Sequence, residues 1–186
     1  MRGSTDPKET QHSDQTLLVL LAQSGDRAAL EQLLRESYAP LRRYISRLAG
    51  PDLADDILQE TSIQIFRKLT HLREPAVFQA WSLRIASRIA FAHLKRADRW
   101  QPLDDAPIEP VAPDPNLGEL PDAAFLSLLE AVSPASRAVL LLRYQHDLSL
   151  EEAAAVLDIP VGTAKSRLHY GVASIRKHLI SERNLA

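Results

Sequence analysis

The stretch from Gln101 to Pro121 constrains the fold of this 186-residue chain more than any other. Six of the chain's twelve prolines fall there, with five acidic residues and no lysine or arginine. Proline lacks the backbone donor that a helix or a sheet ladder needs, and the acidic charges repel one another. Such a segment is an extended, semi-rigid spacer, spanning on the order of 60 Å at about 3 Å per residue. The remainder must therefore fold as two separate pieces, each with its own core. Apolar residues recur at intervals of three and four in both pieces, and no stretch alternates with a period of two. The expected fold class is all-α, with two small helical domains. Residues 1–12 read as a disordered leader, 13–100 as the first domain, 101–121 as the linker and 122–186 as the second domain.

The first domain reads as four helices. Ser13 caps a short helix carrying Leu17, Leu18 and Leu21, and Gly25 ends it. Asp26 caps a second, whose apolar face is Leu30, Leu33, Leu34, Tyr38, Leu41, Ile45 and Leu48, and Gly50-Pro51 stops it. A third runs from about Leu53 to Leu69, and Pro75 separates it from a fourth, about Ala76 to Arg99. In the fourth, Trp81, Ile85, Ile89 and His93 share a side.

The second domain also reads as four helices. The first covers Asp122 to Val132, and Ser133-Pro134 opens the next, through Arg143. Ser149 followed by Glu152 is a capping box for a third, ending near Leu157, where Asp158, Ile159 and Pro160 force a turn. The last helix opens near Val161 and places Ala164, Leu168, Val172, Ile175 and Leu179 on one face. Two helices joined by so tight a turn, the second amphipathic, describe a helix-turn-helix. Thr163, Ser166, Arg167 and Tyr170 lie away from the apolar seam, and no acidic residue occurs between Asp158 and Glu182. In a DNA-reading helix-turn-helix the start of the second helix enters the major groove, where Arg, Lys, Ser and Thr meet base edges and phosphates.

Composition narrows the chemistry. A net charge of −2 and a pI near 6.3 exclude general coating of polyanions, so any nucleic-acid contact must come from local basic faces. The fourth helix offers one: Arg84, Arg88, Lys95, Arg96 and Arg99 against the single acid Asp98, interleaved with aromatic residues that stack on bases. The third helix is the opposite, with Asp52, Asp56 and Glu60 four apart on one face and Asp55 and Gln59 beside them. Like charges at that spacing cost a few tenths of a kcal/mol each, and a basic partner would relieve them. The six histidines lie apart, and the Glu-x-x-His spacing of a di-metal bundle does not recur. The chain has no cysteine, which removes thiolate metal sites and thiol catalysis. Neither catalytic residues nor a cofactor or metal are expected, and the absence of a signal peptide or membrane-length apolar run points to the cytoplasm.

Three separated stretches resemble one family, the extracytoplasmic-function sigma factors of bacterial RNA polymerase. ADDILQETSIQIF (54–66) is similar to their polymerase-docking helix, FQAWSLRIA (78–86) to the start of their −10-element helix, and DLSLEEAAAVLDIPVGTAKSRLHYG (147–171) to their −35-reading helix-turn-helix. The resemblance covers about residues 14–180. It implies two small helical domains, the first of the sigma-2 type and the second of the sigma-4 type, that bind core polymerase (the β′ clamp helices and the β subunit) and promoter DNA. By position, docking falls on Asp55, Asp56, Gln59 and Glu60, and −10 recognition on Arg84, Arg88, Lys95, Arg96 and Arg99. Recognition of the −35 element falls on Thr163, Lys165, Ser166, Arg167 and Tyr170. It also implies an anti-sigma factor as partner. The chain departs from the family pattern at Ser62, Arg88, His93 and Tyr170, which bears on the promoter sequence. The alternative is a stand-alone helix-turn-helix regulator whose N-terminal bundle senses a ligand or dimerises.

Overall fold

The computed structural model describes residues 7–98 and 127–183, with side-chain surroundings for 14–98 and 127–181. Its helices are α1 (Pro7–Gln23), α2 (Arg27–Ala49), α3 (Pro51–Lys68), α4 (Phe78–Arg96), α5 (Pro134–Tyr144), α6 (Leu150–Leu157) and α7 (Val161–Arg183). Residues 127–130 are also helical, and single 3₁₀ turns at Leu69–His71 and Pro75–Val77 link α3 to α4. Among the described residues there is no strand.

Local chemistry sets these boundaries. Asp26 caps α2 by accepting from the amides of Ala28 and Ala29 at 2.9 and 3.1 Å. A single residue, Gly50 at φ 99°, turns the chain from α2 into α3, a conformation that a side chain would strain, and Pro51 then opens α3. α2 packs on α1, α3 and α4, and α3 packs on α4 as well. Leu33, Tyr44, Ile45, Leu48, Ile57, Ile65, Leu69 and Leu83 are fully buried between them. Each such side chain stabilises by about 1.5–3 kcal/mol relative to exposure. Tyr44 is the one polar group in that set, and its hydroxyl meets Ser87 Oγ at 2.7 Å, which satisfies it; burial raises its pKa.

In the C-terminal half α5 is the hub. Ala135, Ala138, Val139, Leu140, Leu141 and Leu142 are all buried, so the helix is covered on every side, by α6 and α7 and by α2 of the N-terminal half. α7 crosses α5 at Gly171, where a Cβ would stand 2.7 Å from Leu140 Cδ1.

Several expectations change. α1 begins at Pro7, ahead of Ser13: proline suits a first helical turn, and the polar residues after it extend the helix. In α1 it is Val19 that is buried, while Leu17, Leu20 and Leu21 are largely exposed. Tyr38 is 52% exposed; its neighbour Ser37 turns inward instead, donating to Leu33 O at 2.7 Å. α4 buries Phe78, Leu83, Ala86, Ala90 and Leu94, and Trp81, Ile85 and Ile89 are its half-buried flank. It ends at Arg96, with Asp98 in the left-handed region at φ 53°. Leu179 is exposed, so the seam of α7 closes at Ile175. The linker expected at 101–121, Arg99 and the start of the helix expected at 122 lie outside the described residues.

Candidate nucleic-acid interface and docking face

The helix-turn-helix is built as its sequence specifies. Ser149 Oγ accepts from the Glu152 amide at 3.1 Å, and the Glu152 carboxylate accepts from the Ser149 amide at 2.7 Å, a complete capping box. Asp158 ends α6 at φ 58°, its amide bonded to the Ala154 and Ala155 carbonyls. Asp is one of the few non-glycine residues that adopt this conformation readily. Ala164, Leu168, Val172 and Ile175 are buried against α5 and α6, which turns Lys165 and Ser166 outward. Ser166 Oγ donates to Gly162 O at 3.0 Å. Thr163 and Tyr170 are half-buried, and the Tyr170 ring stands edge-on to His169. Arg167 is half-buried too: its Nε is shut from water with no hydrogen-bond partner, and that burial holds the guanidinium below its ordinary pKa.

On α4, Arg84, Arg88, Lys95 and Arg96 are all exposed. They lie on the side opposite Leu83, Ala86, Ala90 and Leu94, so the buried seam itself presents the basic face. On α3, Ala54, Ile57, Leu58, Thr61 and Ile65 point inward, leaving Asp52, Asp55, Asp56, Gln59 and Glu60 exposed along one face. The stripe does have hydrogen-bonding neighbours on other helices. Asp55 Oδ1 accepts from Arg42 Nε at 3.0 Å, and Glu60 Oε1 lies 2.9 Å from His93 Nε2. His93 therefore sits between the acidic and basic faces. No heptad or stripe in either helix announces that contact, because it joins positions far apart in sequence. The same holds for Tyr44, Arg47, Gln79, Arg137 and His146, which meet where the two halves touch.

Among the described residues no helix is long and apolar enough to cross a membrane. The N-terminal bundle thus carries an acidic face and a basic face, and a capped helix-turn-helix follows it. Comparison with known proteins makes the family specific. Residues 31–100 match the family model described as Sigma-70 region 2, and residues 122–175 that of Sigma-70, region 4. The ECF RNA polymerase sigma factor SigE of Mycolicibacterium smegmatis is 30% identical, the match covering 94% of this chain and 72% of that protein. The ECF RNA polymerase sigma-E factor of Escherichia coli K12 is also 30% identical, over 82% of this chain and 87% of that one. Among solved structures, CnrH in complex with the cytosolic domain of CnrY has the same fold, with a TM-score of 0.65 at 24% identity, covering 90% of this chain and 98% of that one. The sigma factor RpoE in complex with the anti-sigma factor NepR from Bartonella quintana is similar at a TM-score of 0.61 and 27% identity, over 80% and 95% of the two chains.

The chain belongs to the extracytoplasmic-function sigma factors of the sigma-70 family. It is a transcription-initiation factor, binding core RNA polymerase and directing it to promoters, and the family is not a class of enzymes. A stand-alone regulator does not account for an N-terminal half that matches region 2.

Proposed function

We propose that the three surfaces divide the work of initiation. Asp55, Asp56, Gln59 and Glu60 on α3 dock core polymerase. Arg84, Arg88, Lys95 and Arg96 on α4, with Arg99 beyond it, hold the −10 element as its strands part; unstacking a base costs a few kcal/mol, which phosphate contacts and ring stacking offset. Thr163, Lys165, Ser166, Arg167 and Tyr170 on α7 read the −35 element. On this reading residues 13–100 and 122–186 are the two working units and 101–121 the spacer between them. The protein acts in the cytoplasm, where the polymerase is, and supplies no catalysis of its own. The observation that carries the reading is the separation of charge between two neighbouring helices: the first half of α3 exposes Asp52, Asp55, Asp56 and Glu60 with no base among them, and α4 exposes Arg84, Arg88, Lys95 and Arg96 and contains no acid.

Control by an anti-sigma factor is part of the proposal. A relative of the same fold, RpoE, is known in complex with one. This chain also leaves Leu17, Leu20, Ile63 and Phe66 exposed for an apolar partner.

Run-off transcription with core polymerase, this protein and a genomic library tests the central claim. Defined transcripts that require both components support it. Failure to bind core polymerase at moderate salt overturns it. Size-exclusion of lysate from unstimulated cells tests the anti-sigma partner: elution only as the free protein or with polymerase counts against sequestration.

A further inference from the structure

A glutamine on α1 reaches across to the connection between α3 and α4. Gln23, the last residue of α1, donates from Nε2 to the Leu69 carbonyl at 2.8 Å and to the Leu72 carbonyl at 2.7 Å. Both neighbours are acceptors, so the amide must present its NH2 end, and both of its hydrogens are used there. α1 also packs against the two 3₁₀ turns, and the Leu69 and Leu72 side chains are buried. Among the described residues the other hydrogen bonds of the connection are short-range. The Leu72 amide donates to Leu69 O and the Val77 amide to Glu74 O, each at 3.1 Å, and Thr70 Oγ1 lies 3.3 Å from His71 Nδ1. Single 3₁₀ turns have poorer hydrogen-bond geometry than an α-helix and little stiffness of their own. The tie from α1 therefore sets where the connection lies.

That connection joins the helix with the acidic face to the helix with the basic one, so it fixes the geometry between them. It leads directly into the first turn of α4, where Phe78 is buried and Trp81 is half-buried, its ring tilted 42° to Phe78 at 5.9 Å. An aromatic ring captures an unstacked base best when it is held in place beforehand, because ordering it at the moment of contact offsets part of the gain. We propose that Gln23 is a positioning residue for promoter opening. By holding the Leu69 and Leu72 carbonyls it keeps the first turn of α4 ready for a parted strand while α3 is docked. This role rests on the division of work proposed above, and it places Gln23 in the opening step, outside both docking and the recognition of duplex DNA.

Two substitutions test it. Gln23→Met keeps the length of the side chain and removes the donor; Gln23→Glu sets a carboxylate against two carbonyls. Each variant is assayed with core polymerase on a duplex promoter taken from the run-off library, and on the same promoter with its −10 region unpaired by mismatches. Both variants should bind core polymerase as the unsubstituted protein does. On the duplex they should transcribe about tenfold less, the effect of losing one or two hydrogen bonds, and they should regain most of that activity on the unpaired template. Hydrogen exchange at the Leu72 and Val77 amides should quicken in both. Full activity on the duplex, unchanged exchange or weakened core binding overturns the proposal. So does an equal loss on both templates, which a merely structural role would give. If the unsubstituted protein transcribes neither template, the promoter reading itself falls, and the role of Gln23 with it.

Discussion

His93 Nε2 lies 2.9 Å from Glu60 Oε1, so the helix that presents the basic face holds a carboxylate of the acidic one. With its proton on Nε2 the imidazole donates to that carboxylate, fixing the last acid of the stripe while Asp56, one turn earlier, stays in solvent. The acidic face of α3 and the basic face of α4 are thereby joined by a surface side-chain pair as well as by the core.

Asp56→Lys is the cleaner test of docking, because Glu60→Lys would also place an ammonium against His93. The expected result is core-polymerase affinity about tenfold weaker, with unchanged thermal unfolding, since reversing an exposed charge at an interface acts through the partner. Equilibrium binding at two salt concentrations checks it, and the loss should shrink at the higher one.

Arg167 and Leu168 are adjacent, yet their substitutions should fail differently. Arg167→Ala removes a buried donor that has no acceptor, so stability should hold or rise slightly. Transcription should fall roughly tenfold, the cost of about 1–3 kcal/mol for a lost base or phosphate contact. Leu168→Ala should destabilise by about 2–5 kcal/mol through lost packing. Chemical denaturation and run-off transcription, measured on both variants, separate the two.

Acid should open the contact between the halves. Burial, opposed by Asp147 and aided by Arg47 and Arg43, brings the His146 pKa down to about 4; Tyr44 and Gln79 face the ring without charge. An imidazole freed by opening returns to its ordinary value near 6.5, so the open form binds the proton more readily. The closed form is therefore at full strength above pH 6.5 and weakens as pH falls from there towards 4, by up to about 3 kcal/mol. Distances between spin labels at Ala39→Cys on α2 and Glu151→Cys on α6, both exposed, should show the short population falling between pH 7.5 and 5. His146→Gln should flatten that dependence; an unchanged profile in the variant assigns the effect elsewhere.

Gly171→Val should destabilise the C-terminal half by about 1–3 kcal/mol, because its side chain would drive into Leu140 beneath it. Gly162→Ala is the control: nothing lies within 4 Å of its added carbon, and the gain in helix propensity of up to about 1 kcal/mol should appear undiminished. Urea unfolding of the two variants makes the comparison.

The helix-turn-helix was legible because each signal is local: Ser149 and Glu152 are three apart, and Asp158 and Pro160 stand at the break itself. The acidic and basic faces were legible too, since four-residue spacing alone places Asp56 beside Glu60 and Arg84 beside Arg88. Faces that depend on neighbours were misread. Tyr38 sits in an apolar repeat yet lies half in solvent, while Ser37 beside it is buried and bonds its own turn. Trp81 and Ile85 do share a side of α4, but it is only half-buried, because the smaller Ala86 and Ala90 allow the closer approach and take the centre. Contacts such as His93 with Glu60, or His146 with Tyr44, leave no periodic trace because they join distant positions.

Asp158 carries two duties that chemistry keeps apart. Its backbone makes the turn, which asparagine or glycine would serve as well or better; its carboxylate holds Arg84, which neither would. A change at this one position can thus remove a tie between the two halves of the chain while α6 and α7 keep the turn that joins them.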